Sequence, residues 1–114
     1  MRTLPNPEKA YVQRPKITDY LLSSTHEIGK TKAVFFLRFG FSQENWQLLA
    51  QALILHTRNS TVIDVTETEF GTKYILEGPL ACPDGRTPGI RSVWEIAHGD
   101  DAPRFITAHP DKLT

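Results

Sequence analysis

The stretch Leu53-Ile-Leu-His-Thr-Arg-Asn-Ser-Thr-Val-Ile-Asp-Val65 separates two kinds of sequence pattern. Before it, apolar residues recur at helical spacing, whereas from Thr61 onward they alternate with polar residues and β-branched types dominate. No segment between the later strands is long enough for the helix of a parallel crossover. The pattern therefore predicts an α+β fold in which N-terminal helices pack on a four-stranded antiparallel meander sheet.

Three helices are expected before this boundary. The first covers Ile17 to Leu22 and follows an extended, proline-containing arm of residues 1–15. The second begins near Thr31 and ends at Gly40, where a glycine in the left-handed conformation closes a helix. The third has Ser42 as its N-cap. The apolar stripes expected to face the core are Ala33, Phe36 and Leu37 in the second helix and Trp46, Leu49, Ala50, Leu53 and Ile54 in the third.

Four strands are expected after the boundary, at residues 61–68, 72–78, 90–97 and 104–109. Regular alternation places Trp94 on the core face of the third strand and Arg91 on the opposite face. In the last strand it places Arg104 and Ile106 away from the face shared by Phe105, Thr107 and His109. An open sheet face that carries Arg91, Thr107 or His109 could form a site.

The composition is that of a folded protein from a reducing compartment. The 114 residues suit one domain, which we divide into the arm (1–15), a helical half (16–59) and a sheet half (60–110). Thirteen basic and thirteen acidic residues cancel, so any RNA contact must be local. Cys82 is the only cysteine, which excludes an intrachain disulfide, and we expect a passive thiol. Because no apolar run resembles a signal peptide or a membrane span, we expect a cytoplasmic protein without a membrane partner.

Known cofactor and metal motifs are absent from the sequence. The four histidines, His26, His56, His98 and His109, lie far apart and show none of the spacings of metal-binding motifs, so no metal is expected. No nucleophile elbow, P-loop or Rossmann glycine pattern occurs, which leaves serine hydrolases, kinases and dehydrogenases without support. No cofactor is implied.

The stretch His26-Glu-Ile-Gly-Lys30-Thr-Lys32 places an imidazole and two ammonium groups around a glycine where the second helix begins. Cations and backbone N–H groups at a helix N-terminus collect an anion, and phosphate is the obvious candidate. The same pattern is also typical of an ordinary solvated helix with basic residues. The stretch therefore suggests an anion site without establishing one.

RNA cleavage without a metal requires a group that takes the 2′-hydroxyl proton, a group that protonates the leaving oxygen, and cations at the phosphate. Two histidines could transfer protons near neutral pH, His26 and His109. Four cations could hold the phosphate, namely Lys30, Lys32, Arg91 and Arg104. Each also has a structural alternative: His26 as a loop cap, Lys32 and Arg104 as solvated surface charges, and Arg91 as the partner of Glu95 or Glu77.

A set of motifs runs through nearly the whole chain: Leu4-Pro-Asn6, Lys16-Ile-Thr-Asp-Tyr-Leu-Leu22, His26-x-x-Gly-x-x-Lys32-Ala-x-Phe-Phe36, Gly40-Phe41, Gly71-Thr-Lys-Tyr74, Glu77-Gly78, Val93-Trp94 and Arg104-x-x-Thr107-Ala. This set resembles an uncharacterised bacterial domain family that is well represented in cyanobacteria and has no assigned function. The layout of helices, meander sheet, late arginine and late threonine also resembles the barnase/RelE-like superfamily of small ribonuclease toxins.

The second resemblance implies an endoribonuclease toxin with a small antitoxin protein as its partner and RNA as its substrate. It implies a site with His26 and Lys32 on the helical side and with Arg91, Arg104 and Thr107 on the sheet. Where it implies a tyrosine before Pro110, this chain has His109, which is either a further acid–base group or a simple substitution.

The alternative hypothesis is a non-catalytic interaction module. An electrically neutral α+β unit with apolar alternation in its first and last strands could pair with a partner protein through a sheet edge or face. Catalysis requires His26, Lys32 and the strand arginines to converge in one cleft. A binding module requires an apolar patch and tolerates the loss of His26.

Overall fold

The structure of the chain, a computed structural model, describes residues 2–23, 25 and 29–111, with Gly29 and Lys30 described by their backbone alone. The expected α+β architecture is confirmed: helical segments precede four strands, which form one antiparallel sheet in the order β1-β2-β3-β4. The helical elements are α1, which is α-helical over Arg14–Lys16 and continues in the wider π form over Ile17–Leu21, α2 (Gly29–Arg38) and α3 (Trp46–Asn59). The strands are β1 (Thr61–Glu67), β2 (Gly71–Pro79), β3 (Gly89–Ala97) and β4 (Arg104–Pro110). Within the described ranges, no helix has the length and apolar character needed to cross a membrane.

The N-terminal arm covers the outer edge of β4. It is extended apart from one 3₁₀ turn at Pro7–Lys9. The N–H of Tyr11 donates to the carbonyl of Pro103 at 3.0 Å, and its carbonyl accepts from the N–H of Phe105 at 3.0 Å. These bonds make a parallel bridge between Tyr11 and Arg104, so the arm delivers α1 alongside β4.

Helix α2 buries most of its expected apolar stripe. Ala33 and Phe36 are buried, and Phe35 packs against the core beside them. Leu37 was expected to join them, but this prediction is wrong because its side chain points about 100° away from that of Phe36 and is 43% exposed. Gly40 has φ 101°, the left-handed conformation predicted for the residue that closes the helix.

Helix α3 starts one turn later than the sequence predicted. The Ser42 hydroxyl accepts a bond from the N–H of Asn45 at 3.2 Å, in a turn that precedes the helix, and Asn45 occupies the N-cap position. The prediction of Ser42 as the helix cap is therefore wrong. Four members of the predicted apolar stripe are confirmed, since Leu49 and Leu53 are fully buried while Trp46 and Ile54 pack against the core. The fifth, Ala50, is only half-buried, and Ala52 is buried in the core instead.

A buried polar network ties α3 to the sheet. The ring of His56 has Nδ1 at 2.8 Å from the hydroxyl of Ser92 and Nε2 at 3.0 Å from the carbonyl of Gly78. The Ser92 hydroxyl accepts from Nε1 of Trp94 at 2.8 Å. Because a carbonyl only accepts, Nε2 of His56 carries the proton and Nδ1 accepts from Ser92. Burial lowers the pKa of His56, outweighing the opposite effect of backbone hydrogen bonds at Gly78 and Ile90, and keeps the ring neutral.

Strand β4 contains a bulge that changes which side chains share a face. Phe105 lies opposite Trp94, whereas Thr107 lies opposite Val93, so Ile106 is an extra residue in β4. Because paired residues share a face, Thr107 and His109 lie on the face of the sheet opposite to Phe105. The prediction that they share the face of Phe105 is wrong, because one inserted residue shifts the phase of a two-residue period.

Candidate functional site

Three polar side chains from distant parts of the chain meet beside β4. The ammonium group of Lys32 donates to the hydroxyl of Tyr20 at 2.7 Å and to the hydroxyl of Thr107 at 2.8 Å. The two hydroxyl oxygens are 3.1 Å apart. We call Tyr20, Lys32 and Thr107 the Lys32 cluster. Two of its members, Lys32 and Thr107, are among the site residues predicted from the sequence.

Helix α1 presents Tyr20 at the flank of its apolar side. Ile17 and Leu21 are fully buried, and the ring of Tyr20 packs partly buried against the core while its hydroxyl reaches Lys32 and Thr107. Tyr20 was not predicted as a site residue. The spacing of Lys16, Asp19 and Tyr20, at i, i+3 and i+4, could have identified it, since these positions share one helix face.

A cleft of about 570 Å³ opens against the cluster. Its wall is formed by residues of the arm, α1 and β4: Gln13, Pro15, Lys16, Asp19, Tyr20, Ile106 and Thr107. The ammonium nitrogen of Lys16 lies 6.0 Å from the centroid of the Tyr20 ring, and that of Lys32 lies 5.1 Å from it. Two positive charges thus flank the phenol, and the cleft lies within the size range of small-molecule sites.

The electrostatic surroundings of Tyr20 favour its ionised form. Burial acts to raise the pKa of Tyr20, but hydrogen bonds with Lys32 and Thr107 and the charges of Lys32 and Lys16 together outweigh it and lower that pKa. The phenol therefore releases its proton more readily than an ordinary tyrosine. A hydroxyl of this kind can donate a hydrogen bond to an anion or, once ionised, accept a proton.

The two predicted arginines form ion pairs on the sheet. Arg91 lies 3.0 Å from the carboxylate of Glu77 and 3.3 Å from that of Asp111. Arg104 lies 3.0 Å from the carboxylate of Glu95. The alternative in which Arg91 pairs with Glu77 is therefore the arrangement observed. Each arginine side chain keeps about a third of its surface exposed, at 36% and 35%.

His109 lies opposite Arg91 in the β3–β4 pair, on the same face as Thr107. It follows Thr107 by two residues, which corresponds to about 7 Å along the strand. Its Nδ1 is 3.1 Å from the carbonyl of Pro110, a bond that requires the proton on Nδ1 when the ring is neutral and makes Nε2 an acceptor. His26 and the side chain of Lys30 lie outside the described part of the chain.

The single cysteine and the potential metal ligands are the remaining groups considered from the sequence. Burial, followed by the nearby Asp84 carboxylate, raises the pKa of Cys82 to about 11, which fits a passive thiol. Among the residues that the structure describes, no three histidine, cysteine, aspartate or glutamate side chains come close enough together to hold a metal ion.

Residues 3–112 match the model of a protein family described as a domain of unknown function, DUF6883. The chain belongs to this family. The predicted membership of an uncharacterised domain family is thereby confirmed. No curated protein matches the DUF6883 chain.

The fold of this DUF6883 chain recurs in a solved structure described as a contact-dependent growth inhibition toxin–immunity protein complex from Klebsiella pneumoniae 342. One chain of that complex matches with a TM-score of 0.71 and 20% sequence identity, over 94% of this chain and 97% of its own length. A likeness at this identity shows that the two chains share a fold.

Proposed function

We propose that this DUF6883 chain is an endoribonuclease toxin that cleaves RNA without a metal ion, with the Lys32 cluster as its phosphate site. One observation carries the proposal: an ammonium and a hydroxyl group that are 75 residues apart in sequence, those of Lys32 and Thr107, converge at 2.8 Å. Thr107 and Tyr20, the two hydroxyl groups that Lys32 binds, line a cleft of about 570 Å³, which is within the size range of small-molecule sites.

The Lys32 cluster has the chemistry that phosphoryl transfer to a 2′-oxygen requires. A phosphate that enters the cleft would accept hydrogen bonds from the Lys32 ammonium and the Thr107 hydroxyl, which now bind each other. As the phosphorus becomes pentacovalent its oxygens gain negative charge, and the positive charges of Lys32 and Lys16 stabilise that charge more than they stabilise the substrate. These fixed cations supply the charge stabilisation that a bound metal supplies in other nucleases.

The predicted proton-transfer and flanking residues keep supporting roles in this proposal. His26 or His109 would exchange protons with the reacting oxygens, since a neutral imidazole accepts a proton and an imidazolium donates one. Arg91 and Arg104 would hold phosphates that flank the scissile one, while sharing their guanidinium groups with Glu77 and Glu95. Because these carboxylates already neutralise the arginines, removing either arginine should cost less activity than removing Lys32.

The toxin role and the expected partner draw support from the fold likeness. The chain that shares this fold comes from a complex named for a toxin and its immunity protein. A ribonuclease that acts on cellular RNA in the cytoplasm requires a protective partner in the cell that makes it. We therefore propose a small antitoxin or immunity protein as the partner of this chain.

The test is incubation of the purified protein with total cellular RNA and with tRNA in EDTA. We expect discrete cleavage that leaves 2′,3′-cyclic phosphate ends. Removing the cation in Lys32→Ala should slow cleavage by about 100-fold or more. The matched control is Lys9→Ala, which removes an exposed lysine that is paired with Asp101 and should leave the rate unchanged.

The variants His26→Ala and Arg104→Ala extend the test to the other predicted residues and expose any contaminating nuclease. A folded wild-type protein that cuts none of these RNAs would refute the proposed activity. Cleavage at the wild-type rate by folded Lys32→Ala would remove the Lys32 cluster from the mechanism.

A second candidate function, a protein-binding module, is favoured by the outer edge of the sheet. Strand β1 has one neighbouring strand in the sheet, and the N-terminal arm reaches it at Val62, whose N–H donates to the carbonyl of Arg2 at 2.9 Å. Beyond this bond, Ile63 and Val65 are about 40% exposed, and the following turn exposes Phe70 at 66%. An edge strand with exposed apolar side chains is a surface to which a partner strand can add. Absence of RNA cleavage would favour this function.

A further inference from the structure

We propose that Tyr20 is a catalytic residue that accepts the proton of the attacking ribose 2′-hydroxyl. This inference rests on the RNA cleavage proposed above and assigns one of its two proton-transfer roles.

The Tyr20 hydroxyl lies close to the position that a bound phosphate would take. It lies 2.7 Å from the Lys32 ammonium and 3.1 Å from the Thr107 hydroxyl, and Tyr20 and Thr107 both line the cleft. A phosphate bound by Lys32 and Thr107 would therefore sit in contact with the phenol. The attacking 2′-oxygen approaches the phosphorus of that same phosphate, so it would come within hydrogen-bond reach of Tyr20.

The hydrogen bonds at Tyr20 suit a group that accepts a proton. An ammonium group can only donate, so the phenolic oxygen is the acceptor of its bond from Lys32. That bond and the nearby charge of Lys16 stabilise a phenolate, in agreement with the lowered pKa of Tyr20. The same surroundings make Tyr20 less suited to be the proton donor, because a donor must be neutral before the reaction and the nearby ammonium groups favour the ionised form.

The location of His109 supports this division of roles. His109 lies about 7 Å beyond Thr107 along β4. An in-line displacement needs its proton acceptor and its proton donor at opposite sides of the phosphorus, so one residue cannot easily reach both oxygens. With Tyr20 as the acceptor, His109 is required only as the donor.

The reaction then balances without a further reactant. The Tyr20 phenolate takes the proton from the 2′-hydroxyl as the bond between the 2′-oxygen and phosphorus forms. The bond between phosphorus and the 5′-oxygen breaks, and a protonated histidine gives its proton to that oxygen. The products are a 2′,3′-cyclic phosphate and a 5′-hydroxyl, and Tyr20 returns its proton to solvent.

The experiment compares the pH dependence of RNA cleavage by the wild-type protein and by Tyr20→Phe, with Tyr11→Phe as the matched control. Tyr20→Phe keeps the ring and removes only the hydroxyl. We expect a wild-type rate that rises with pH until the phenol is ionised. In Tyr20→Phe we expect a rate at least about 100-fold lower that lacks this rise, and in Tyr11→Phe an unchanged profile.

A second measurement separates proton transfer from a structural role of the hydroxyl. Replacing Tyr20 by 3-fluorotyrosine keeps the hydroxyl and its geometry but lowers the phenol pKa. If Tyr20 is the proton acceptor, the rising part of the profile shifts to lower pH. A profile that does not shift, or a Tyr20→Phe protein that cuts at the wild-type rate, would overturn the assignment while the wild-type activity still supports the proposed function. A wild-type protein without activity would instead refute the proposed function itself.

Discussion

Replacing Ser92 by alanine should strongly destabilise the fold, because one hydroxyl satisfies two buried polar groups. Ser92 accepts from Nε1 of Trp94 and donates to Nδ1 of His56, both at 2.8 Å. Trp94 and His56 are 0% and 1% exposed, so water does not readily replace the lost hydroxyl. A buried polar atom left without a partner costs about 1–3 kcal/mol, which gives about 2–6 kcal/mol for the two.

This loss is large compared with the total stability of a domain of this size. At about 0.05–0.15 kcal/mol per residue, 114 residues correspond to a free energy of unfolding of about 6–17 kcal/mol. Urea denaturation of Ser92→Ala should therefore show a much lower midpoint at an unchanged m-value. The matched control is Thr66→Ala, which removes an exposed hydroxyl from the same sheet and should change stability by less than about 0.5 kcal/mol.

A double-mutant cycle shows whether the loss comes from the bridge. In a His56→Leu background one of the two partners of Ser92 is gone, so Ser92→Ala should cost less than in the wild type, with a coupling energy of about 0.5–3 kcal/mol. If Ser92→Ala lowered the free energy of unfolding by less than about 1 kcal/mol, or if the two substitutions were additive, the reasoning about the bridge would be refuted.

Two further predictions concern titratable groups outside the candidate site. Burial lowers the pKa of His56, so below about pH 6.5 this histidine is protonated in the unfolded chain but still neutral in the folded chain. The free energy of unfolding therefore falls as the pH drops from 6.5 toward the folded-state pKa. The free energy of unfolding, measured by urea titration at several pH values, should change by at most about 1.4 kcal/mol per pH unit, and by less in His56→Gln. An equal pH dependence in the two proteins would contradict a neutral buried ring. Because the pKa of Cys82 is raised to about 11, iodoacetamide should modify the folded protein about 100-fold more slowly than the urea-unfolded chain, as measured by mass spectrometry. Equal rates would show that the thiol is ordinary.

The order and type of the elements could be predicted from the sequence because they depend on local periodicity. The apolar stripe of α3, with Leu49 and Leu53 buried, and the four strands follow directly from periods of 3.6 and 2 residues. Two of the errors concern the face on which a side chain lies. The side chain of Leu37, which follows Phe36 on the helix, faces solvent. The extra residue Ile106 in β4 places Thr107 on the other face of the sheet.

The candidate site was predicted only in part, because it depends on contacts between distant segments. Lys32 was found because its charge near a helix start is visible in the sequence. Thr107 was found because the last strand offered it as part of an open sheet face and because the resemblance to ribonuclease toxins implied it. Nothing in the local pattern shows that α1 would lie beside β4, which is a consequence of the backbone bonds between Tyr11 and its neighbours. The role of Tyr20 follows from this placement and therefore required the structure.

The Lys32 cluster also lies where the backbone departs from regular geometry in two places. Tyr20 belongs to the π segment of α1, and Thr107 immediately follows the extra residue of the β4 bulge. Both irregularities weaken regular backbone pairing, and both kinds are frequent at functional sites. With a regular β4, Thr107 would share the face of Phe105, which is fully buried, instead of meeting Lys32 and Tyr20 beside the cleft. The π segment and the bulge belong to separate parts of the chain, yet both lie at the Lys32 cluster. The backbone geometry therefore supports the same location for the site as the chemistry of the three side chains.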